Sequence, residues 1–147
     1  MKVLIRDLEK DDYEAVCDLI SNELGYVNTN YADAFKRLDA IRNRKGYHTF
    51  VAVDNNKVIG FIGLSRGIAF NINGEYIQII ALAVNKECQN RGIGTQLLIK
   101  VEQYAQNEKI HSIGLNSGLH REEAHTFYEH RGYVKKSYSF QKSLHEE

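Results

Sequence analysis

A glycine-containing turn between an apolar strand and an amphipathic helix constrains the fold of this chain most. The apolar run of residues 77–84 predicts a buried strand. Beyond the turn, apolar residues recur at helical spacing: Ile93, Leu97, Leu98, Val101 and Ala105. In this order the turn presents backbone N–H groups to an anion, because the first amides of a helix lack internal partners and the helix dipole is positive there. Gly92 and Gly94 permit close backbone approach, and Arg91 offers a charge-assisted bond to phosphate. The stretch predicts a phosphate-binding turn.

The residue order within this turn selects among phosphate-binding families. Gln89-Asn90-Arg91-Gly92-Ile93-Gly94 lacks the Gly-Lys-Ser/Thr ending of a nucleoside-triphosphate loop and the third glycine of a dinucleotide fingerprint. It resembles the Gln/Arg-x-x-Gly-x-Gly/Ala signature of the GNAT family of N-acetyltransferases, in which this turn holds the pyrophosphate of coenzyme A. The resemblance implies that the following residues bind acetyl-CoA: Gln89, Asn90, Arg91, Gly92, Ile93, Gly94 and Thr95. An ordinary strand-to-helix turn with packing glycines is the alternative for the hexapeptide alone.

A second stretch, about thirty residues further on, resembles the other signature of the same family. Residues 124–133, Ala-His-Thr-Phe-Tyr-Glu-His-Arg-Gly-Tyr, follow the pattern Ala-x-x-x-Tyr-x-x-x-Gly-Phe/Tyr. By this resemblance Tyr128 is the general acid that protonates the leaving thiolate, although a tyrosine on a helix face is otherwise usually a core residue. Arg121 stands where many relatives carry an asparagine that contacts the cofactor arm; in this chain Asn116, His120 and Arg121 lie nearby, and Asn116 and Arg121 are the predicted cofactor residues. The resemblance also implies backbone contacts to the pantetheine arm from Leu82, Ala83 and Val84.

The remaining pattern predicts one domain, residues 1–147, with a mixed α/β fold. Apolar periodicity gives the order β-α-α-β-β-β-α-β-α-β, a GNAT-like central mixed sheet flanked by helices. Residues 54–56, Asp-Asn-Asn, predict a hairpin turn, and residues 133–140 predict the closing strand. Cys17 falls on the apolar face of the first helix and is expected in the core.

Composition excludes several functional classes. Nineteen basic and nineteen acidic residues cancel without forming blocks, so we expect no nucleic-acid partner. No apolar run approaches the ~20 residues of a membrane span, so we expect no membrane partner. Two cysteines without metal-ligand spacing predict neither a disulfide framework nor a metal site, and the default location is cytoplasmic.

The chemistry implied by the resemblance requires two proton transfers. An acceptor amine with a pKa of about 10.4 is neutral in roughly one molecule in 2,500 at pH 7, so a base or a water wire must deprotonate it. Glu75, at the start of the strand that enters the site, is the predicted general base. His48 and His120 are further candidates because imidazole titrates near neutrality. Glu23 and Tyr26 lie in the loop after the first helix, which in the family borders the acceptor pocket, and are predicted to bind substrate.

These observations leave two main functional hypotheses. The first is an acetyl-CoA-dependent N-acetyltransferase, a small bacterial member of the family, that acts by direct attack on a primary amine of a small molecule or peptide. The second is a non-catalytic acyl-CoA-binding regulatory module. A phosphate-nucleotide binder would require both signatures to be coincidences. Residues 138–140, Tyr-Ser-Phe, resemble an exposed edge strand, and with the frequency of dimers in the family they suggest a homodimer.

Overall fold

An antiparallel meander of four strands forms most of the sheet, and a fifth strand is added in parallel. In the computed structural model, which describes residues 2–145, the strands lie side by side in chain order. The strands are β1 (Val3–Asp7), β2 (Tyr47–Asp54), β3 (Lys57–Ile68), β4 (Glu75–Val84) and β5 (Ile113–Leu115). The helices are α1 (Tyr13–Glu23), α2 (Tyr31–Asn43), α3 (Ile93–Asn107) and α4 (Glu122–His130). The expected mixed α/β sheet with flanking helices is confirmed.

The chain divides into two compact units, Met1–Leu115 and Asn116–Glu147. The first contains the five strands with α1, α2 and α3, and the second contains α4. In residues 2–145, no helix combines the length and the apolarity that a bilayer crossing requires.

The hairpin between β2 and β3 forms where the turn residues predict it. Asp54 pairs with Lys57, which leaves a two-residue loop of Asn55 and Asn56. Both asparagines have positive φ, 52° and 63°. A two-residue hairpin loop of this kind needs positive φ at both positions, and asparagine tolerates it better than most residues.

Helices cover both faces of the sheet. Phe61 of β3 packs in one core cluster with residues of α1 and α2, among them Val16 and Cys17. Its neighbour Gly60 faces α3, since a Cβ on Gly60 would lie 3.3 Å from Leu97 Cδ1. Successive strand residues point to opposite faces, so the sheet is buried on both sides. The core position expected for Cys17 is confirmed by its complete burial, which also raises the pKa of its thiol.

The closing strand expected over residues 133–140 is a wrong prediction. Residues 133–144 have no regular secondary structure, so the described chain ends its element order with α4. The apolar side chains that suggested a half-buried strand, Val134, Tyr138 and Phe140, are 75%, 73% and 93% exposed. Alternation of apolar and polar residues indicates only which face a strand would bury, and a strand also needs a neighbouring backbone to pair its N–H and C=O groups.

Candidate functional site

Strand β4 has an open edge over its second half. It pairs with β3 from Glu75 to Val84, but with β5 only through Ile77, Gln78 and Ile79. A register shift in the β3–β4 pairing, between Gly63 and Leu64, falls where the β5 pairing ends. Beyond residue 79, the edge of β4 that faces away from β3 is therefore free of β5 and can pair with an extended ligand.

Two of the three backbone positions expected to bind the pantetheine arm face this open edge. Asn85 N–H donates to Ile59 O at 2.7 Å, so the N–H group at position 85 points towards β3. Because N–H groups alternate along a strand, those of Leu82 and Val84 are directed to the open edge, and that of Ala83 is directed to β3. Ala83 is also buried in the core, at 5% exposure.

The turn between β4 and α3 adopts conformations that glycine and asparagine favour. A 3-10 turn, Lys86–Cys88, follows the strand, and the chain then reverses through Asn90 and Gly92 with φ of 67° and 77°. A Cβ on Gly92 would meet no atom within 4 Å, so the glycine is required by its backbone angle and not by crowding.

The N-terminus of α3 has free amide groups. Its first intrahelical bond runs from Gln96 N–H to Gly92 O, so the amides of Ile93, Gly94 and Thr95 precede the ladder. The N-cap is Gly92, which has no side chain to accept from them. Helix α2 differs, because its N-cap Asn30 accepts from Asp33 N–H. The N-terminus of α3 therefore suits an external anion such as a phosphate.

Two side chains form hydrogen bonds to the backbone of the segment between β4 and α3 or of the strand before it. Gln89 Nε2 donates to Val84 O at 3.2 Å, so this predicted cofactor residue also closes the turn onto the strand. Glu23 Oε2 accepts from Lys86 N–H at 3.0 Å. The predicted substrate residue Glu23 thus contacts the backbone next to the predicted donor site.

Glu75, the predicted general base, is bound by Arg66. Arg66 Nη2 lies 2.6 Å from Glu75 Oε1 and its Nε lies 3.3 Å from Oε2, while Nη1 donates to Glu108 Oε1 and Tyr104 Oη. These hydrogen bonds raise the pKa of Arg66, and the bond to Glu75 has the largest effect. Glu75 is five residues from Ile80, where the open edge begins, a separation of roughly 16 Å along the strand. A direct proton transfer at the open edge is out of reach of this carboxylate.

A cavity of about 710 Å³ lies at the loop between α1 and α2. It is lined by Ile20, Gly25, Tyr26, Val27, Asn28, Thr29, Asn30, Asp33 and Arg37. The cavity is open to solvent over much of its boundary, so a ligand there would be only partly enclosed. The predicted substrate residue Tyr26 belongs to this lining and is 64% exposed.

The second unit carries Tyr128 on α4. Its ring lies edge-on to Phe127 and Tyr133, with centroids 5.2 and 6.1 Å apart. Burial raises the pKa of its hydroxyl, and the charge of Arg121 offsets part of that rise. The hydroxyl therefore keeps its proton throughout the neutral pH range. Of the two arm-binding candidates, Arg121 is the N-cap of α4 and Asn116 is the first residue of this unit.

Three contacts of the first unit were not predicted from the sequence. Asn85 Oδ1 accepts from Glu87 N–H and caps the 3-10 turn; an asparagine after an apolar run is a cap signal that was available. No local sequence pattern predicts the hydrogen bond between Glu23 and Lys86 N–H or the placement of Arg66 between two carboxylates.

A family model described as the acetyltransferase (GNAT) family matches residues 5–133. The chain belongs to this family. The predicted class, an acetyl-CoA-dependent N-acetyltransferase, is confirmed at this level.

Relatives of known name agree with this assignment. An aminoalkylphosphonate N-acetyltransferase of Salmonella typhimurium is 29% identical over 132 residues, 90% of this chain and 82% of the relative. A GNAT family acetyltransferase of Staphylococcus aureus has a TM-score of 0.78 at 27% identity, covering 98% and 100% of the two chains. An aminoglycoside acetyltransferase from an uncultured soil sample shares the fold, with a TM-score of 0.85 at 20% identity over 97% of both chains.

Proposed function

We propose that the protein transfers an acetyl group from acetyl-CoA to a primary amine of a small molecule or peptide. The observation that carries the proposal is the uncapped glycine N-terminus of α3 at the end of a strand with an open edge. An anion and an extended amide-containing arm, the two recognisable parts of coenzyme A, fit these features side by side.

On the donor side, the amides of Ile93, Gly94 and Thr95 would hold the pyrophosphate, with Arg91 adding positive charge. The N–H and C=O of Leu82 and the N–H of Val84 would pair with the amides of the pantetheine arm as a neighbouring strand does, whereas Val84 O already accepts from Gln89. Acetyl-CoA supplies the acetyl group as an activated thioester. An N–H of the open edge can polarise the thioester carbonyl, because a fixed donor stabilises the charge that develops on that oxygen.

On the acceptor side, we infer that the amine enters through the cavity between α1 and α2. Its lining combines the aromatic ring of Tyr26 with side chains of both charges, Asp33 and Arg37. In support, the relatives named above act on aminoalkylphosphonates and aminoglycosides, which are small molecules with primary amines. A carboxylate such as that of Asp33 attracts an ammonium group to the cavity.

In the reaction, the neutral amine attacks the thioester carbonyl and the thiolate leaves. We propose that Tyr128 donates its proton to that sulfur, since a phenol protonated at neutral pH is a suitable acid for a thiolate with a pKa near 8.5. The base stays a prediction: because Arg66 binds Glu75, this carboxylate would receive the proton through water.

Thiol release from acetyl-CoA across a panel of amines tests the proposal. The panel contains 2-aminoethylphosphonate, aminoglycosides, polyamines, amino acids and short peptides. We expect turnover with at least one amine, and we expect Tyr128→Phe to lower its kcat by roughly 10²- to 10⁴-fold with little change in acetyl-CoA affinity. Tyr138→Phe is the matched control, since that tyrosine is 73% exposed in the same unit.

Unchanged turnover in Tyr128→Phe would remove the general-acid role. Binding of acetyl-CoA without transfer to any amine would favour the non-catalytic acyl-CoA-binding module. Competition by ATP for the site would favour a nucleotide binder. The homodimer and the cytoplasmic location also stay predictions from the sequence.

A further inference from the structure

The last residue of α1 is hydrogen-bonded to the backbone of the segment between β4 and α3. This segment, residues 85–92, is the donor turn, because it leads to the amides proposed to bind acetyl-CoA. Glu23 Oε2 accepts from Lys86 N–H at 3.0 Å, across 63 residues of sequence. Lys86 is the first residue of the 3-10 turn between β4 and α3. Its amide belongs to the groups that a helical turn leaves without an internal partner, so the carboxylate satisfies a donor that the turn itself cannot.

The neighbouring amide of this turn is satisfied by a different side chain. Asn85 Oδ1 accepts from Glu87 N–H at 3.0 Å. Asn85 can restrain only the turn to which it belongs, whereas Glu23 comes from another element. The bond from Glu23 is therefore a tie between α1 and the segment that carries the anion-binding amides.

On its other side, this tie leads into the loop between α1 and α2. The chain leaves α1 at Glu23 and runs directly into the loop of residues 25–30, which forms most of the cavity lining. A shift of the donor turn would displace the Glu23 carboxylate and, with it, the start of this loop. One carboxylate thus links the proposed donor site to the loop that lines the proposed acceptor cavity.

We propose that Glu23 is a positioning residue that couples acetyl-CoA binding to the ordering of the loop between α1 and α2. The inference rests on the proposed function, because it takes the α3 N-terminus as the donor site and the cavity as the acceptor site. Holding the donor turn in its binding conformation holds the loop as well. By linkage, an ordered loop strengthens acetyl-CoA binding by the same factor.

Acetyl-CoA affinity and amide hydrogen exchange, measured with acetyl-CoA as the only ligand, test the coupling. In wild type, acetyl-CoA should slow exchange both in residues 89–95 and in the loop of residues 25–30. In Glu23→Ala the dissociation constant should rise about 5- to 10-fold, and the loop should no longer respond while residues 89–95 still do.

Two further variants separate this role from general destabilisation. Glu23→Gln should restore both the affinity and the loop response, because the glutamine Oε1 can accept the same bond from Lys86 N–H. Glu14→Ala, in the exposed first turn of the same helix, should behave as wild type. A helix that was merely destabilised would exchange faster without ligand and would not alter the ligand-dependent difference.

The outcomes distinguish the two proposals. If acetyl-CoA fails to bind the wild-type protein, the proposed function is wrong. If it binds and protects residues 89–95, but the loop exchanges equally with and without it, the coupling is wrong and the proposed function stands. A Glu23→Ala protein with wild-type affinity and a responsive loop would also overturn the coupling.

Discussion

The guanidinium of Arg66 lies between the carboxylates of Glu75 and Glu108 and donates to Tyr104 Oη. Its side chain is 20% exposed, and the two carboxylate side chains are 41% and 43% exposed. Partly exposed pairs of this kind contribute only about 0–1 kcal/mol each to stability. The cluster also bears on the predicted general base, because a carboxylate that Arg66 holds is restrained in direction and would reach an acceptor amine only through water.

The two carboxylates make a matched pair for testing the general base. If Glu75 accepts the proton of the amine, Glu75→Gln should remove the acidic limb of the pH–rate profile, since the variant no longer titrates. Glu108→Gln loses a comparable bond to Arg66 but should keep the limb. We would measure kcat/KM against pH for both, with the best amine of the panel. An unaltered limb in Glu75→Gln would rule this residue out.

At the scale of elements, the donor site depends on one backbone conformation between β4 and α3. Gly92 has φ of 77°, and a Cβ there would have room. The cost of a side chain at this position is therefore conformational, about 1–2 kcal/mol. Relaxation of that strain would turn the first amides of α3 away from the anion.

Gly92→Ala should lower both stability and donor affinity. We expect a loss of about 1 kcal/mol in the free energy of unfolding and a roughly tenfold weaker binding of acetyl-CoA. Gly74→Ala is the control, because Gly74 has φ of 75° and equal room, but lies in the turn between β3 and β4. Urea denaturation and calorimetry should show similar instability in the two variants and weak binding only in Gly92→Ala. Equal affinities would mean that this turn does not hold the donor.

Across the whole molecule, the sequence predicted what short-range patterns determine. Periodicity located α3 and the apolar strand before it, and the turn residues located the Asn55–Asn56 loop. The bond of Glu23 to Lys86 N–H and the contacts of Arg66 with Glu108 join residues 63 and 42 positions apart. Such contacts follow from how the strands and helices pack together, which no local pattern encodes. The strand predicted over residues 133–140 was wrong for a related reason, since strand pairing depends on a neighbouring strand as well as on the segment itself.

That same segment carries the prediction of a homodimer. Val134, Tyr138, Phe140 and Leu144 all lie at even-numbered positions, so an extended chain would place them on one side together with Lys136 and Lys142. All four apolar side chains are at least 73% exposed. Burial of the water-exposed aromatic rings would be favourable, since each aromatic side chain can bury about 150–250 Å². Pairing of this segment with a second copy would satisfy both its backbone groups and its apolar face.

Sedimentation velocity at micromolar concentration decides whether this pairing occurs. We expect a dimer in wild type and a monomer in the double variant Tyr138→Ser, Phe140→Ser, because these two rings supply most of the exposed aromatic area of this segment. Ser139→Asn, between them on the polar face, should remain dimeric. If wild type sediments only as a monomer, the segment does not pair between copies; if the double variant stays dimeric, another surface forms the interface.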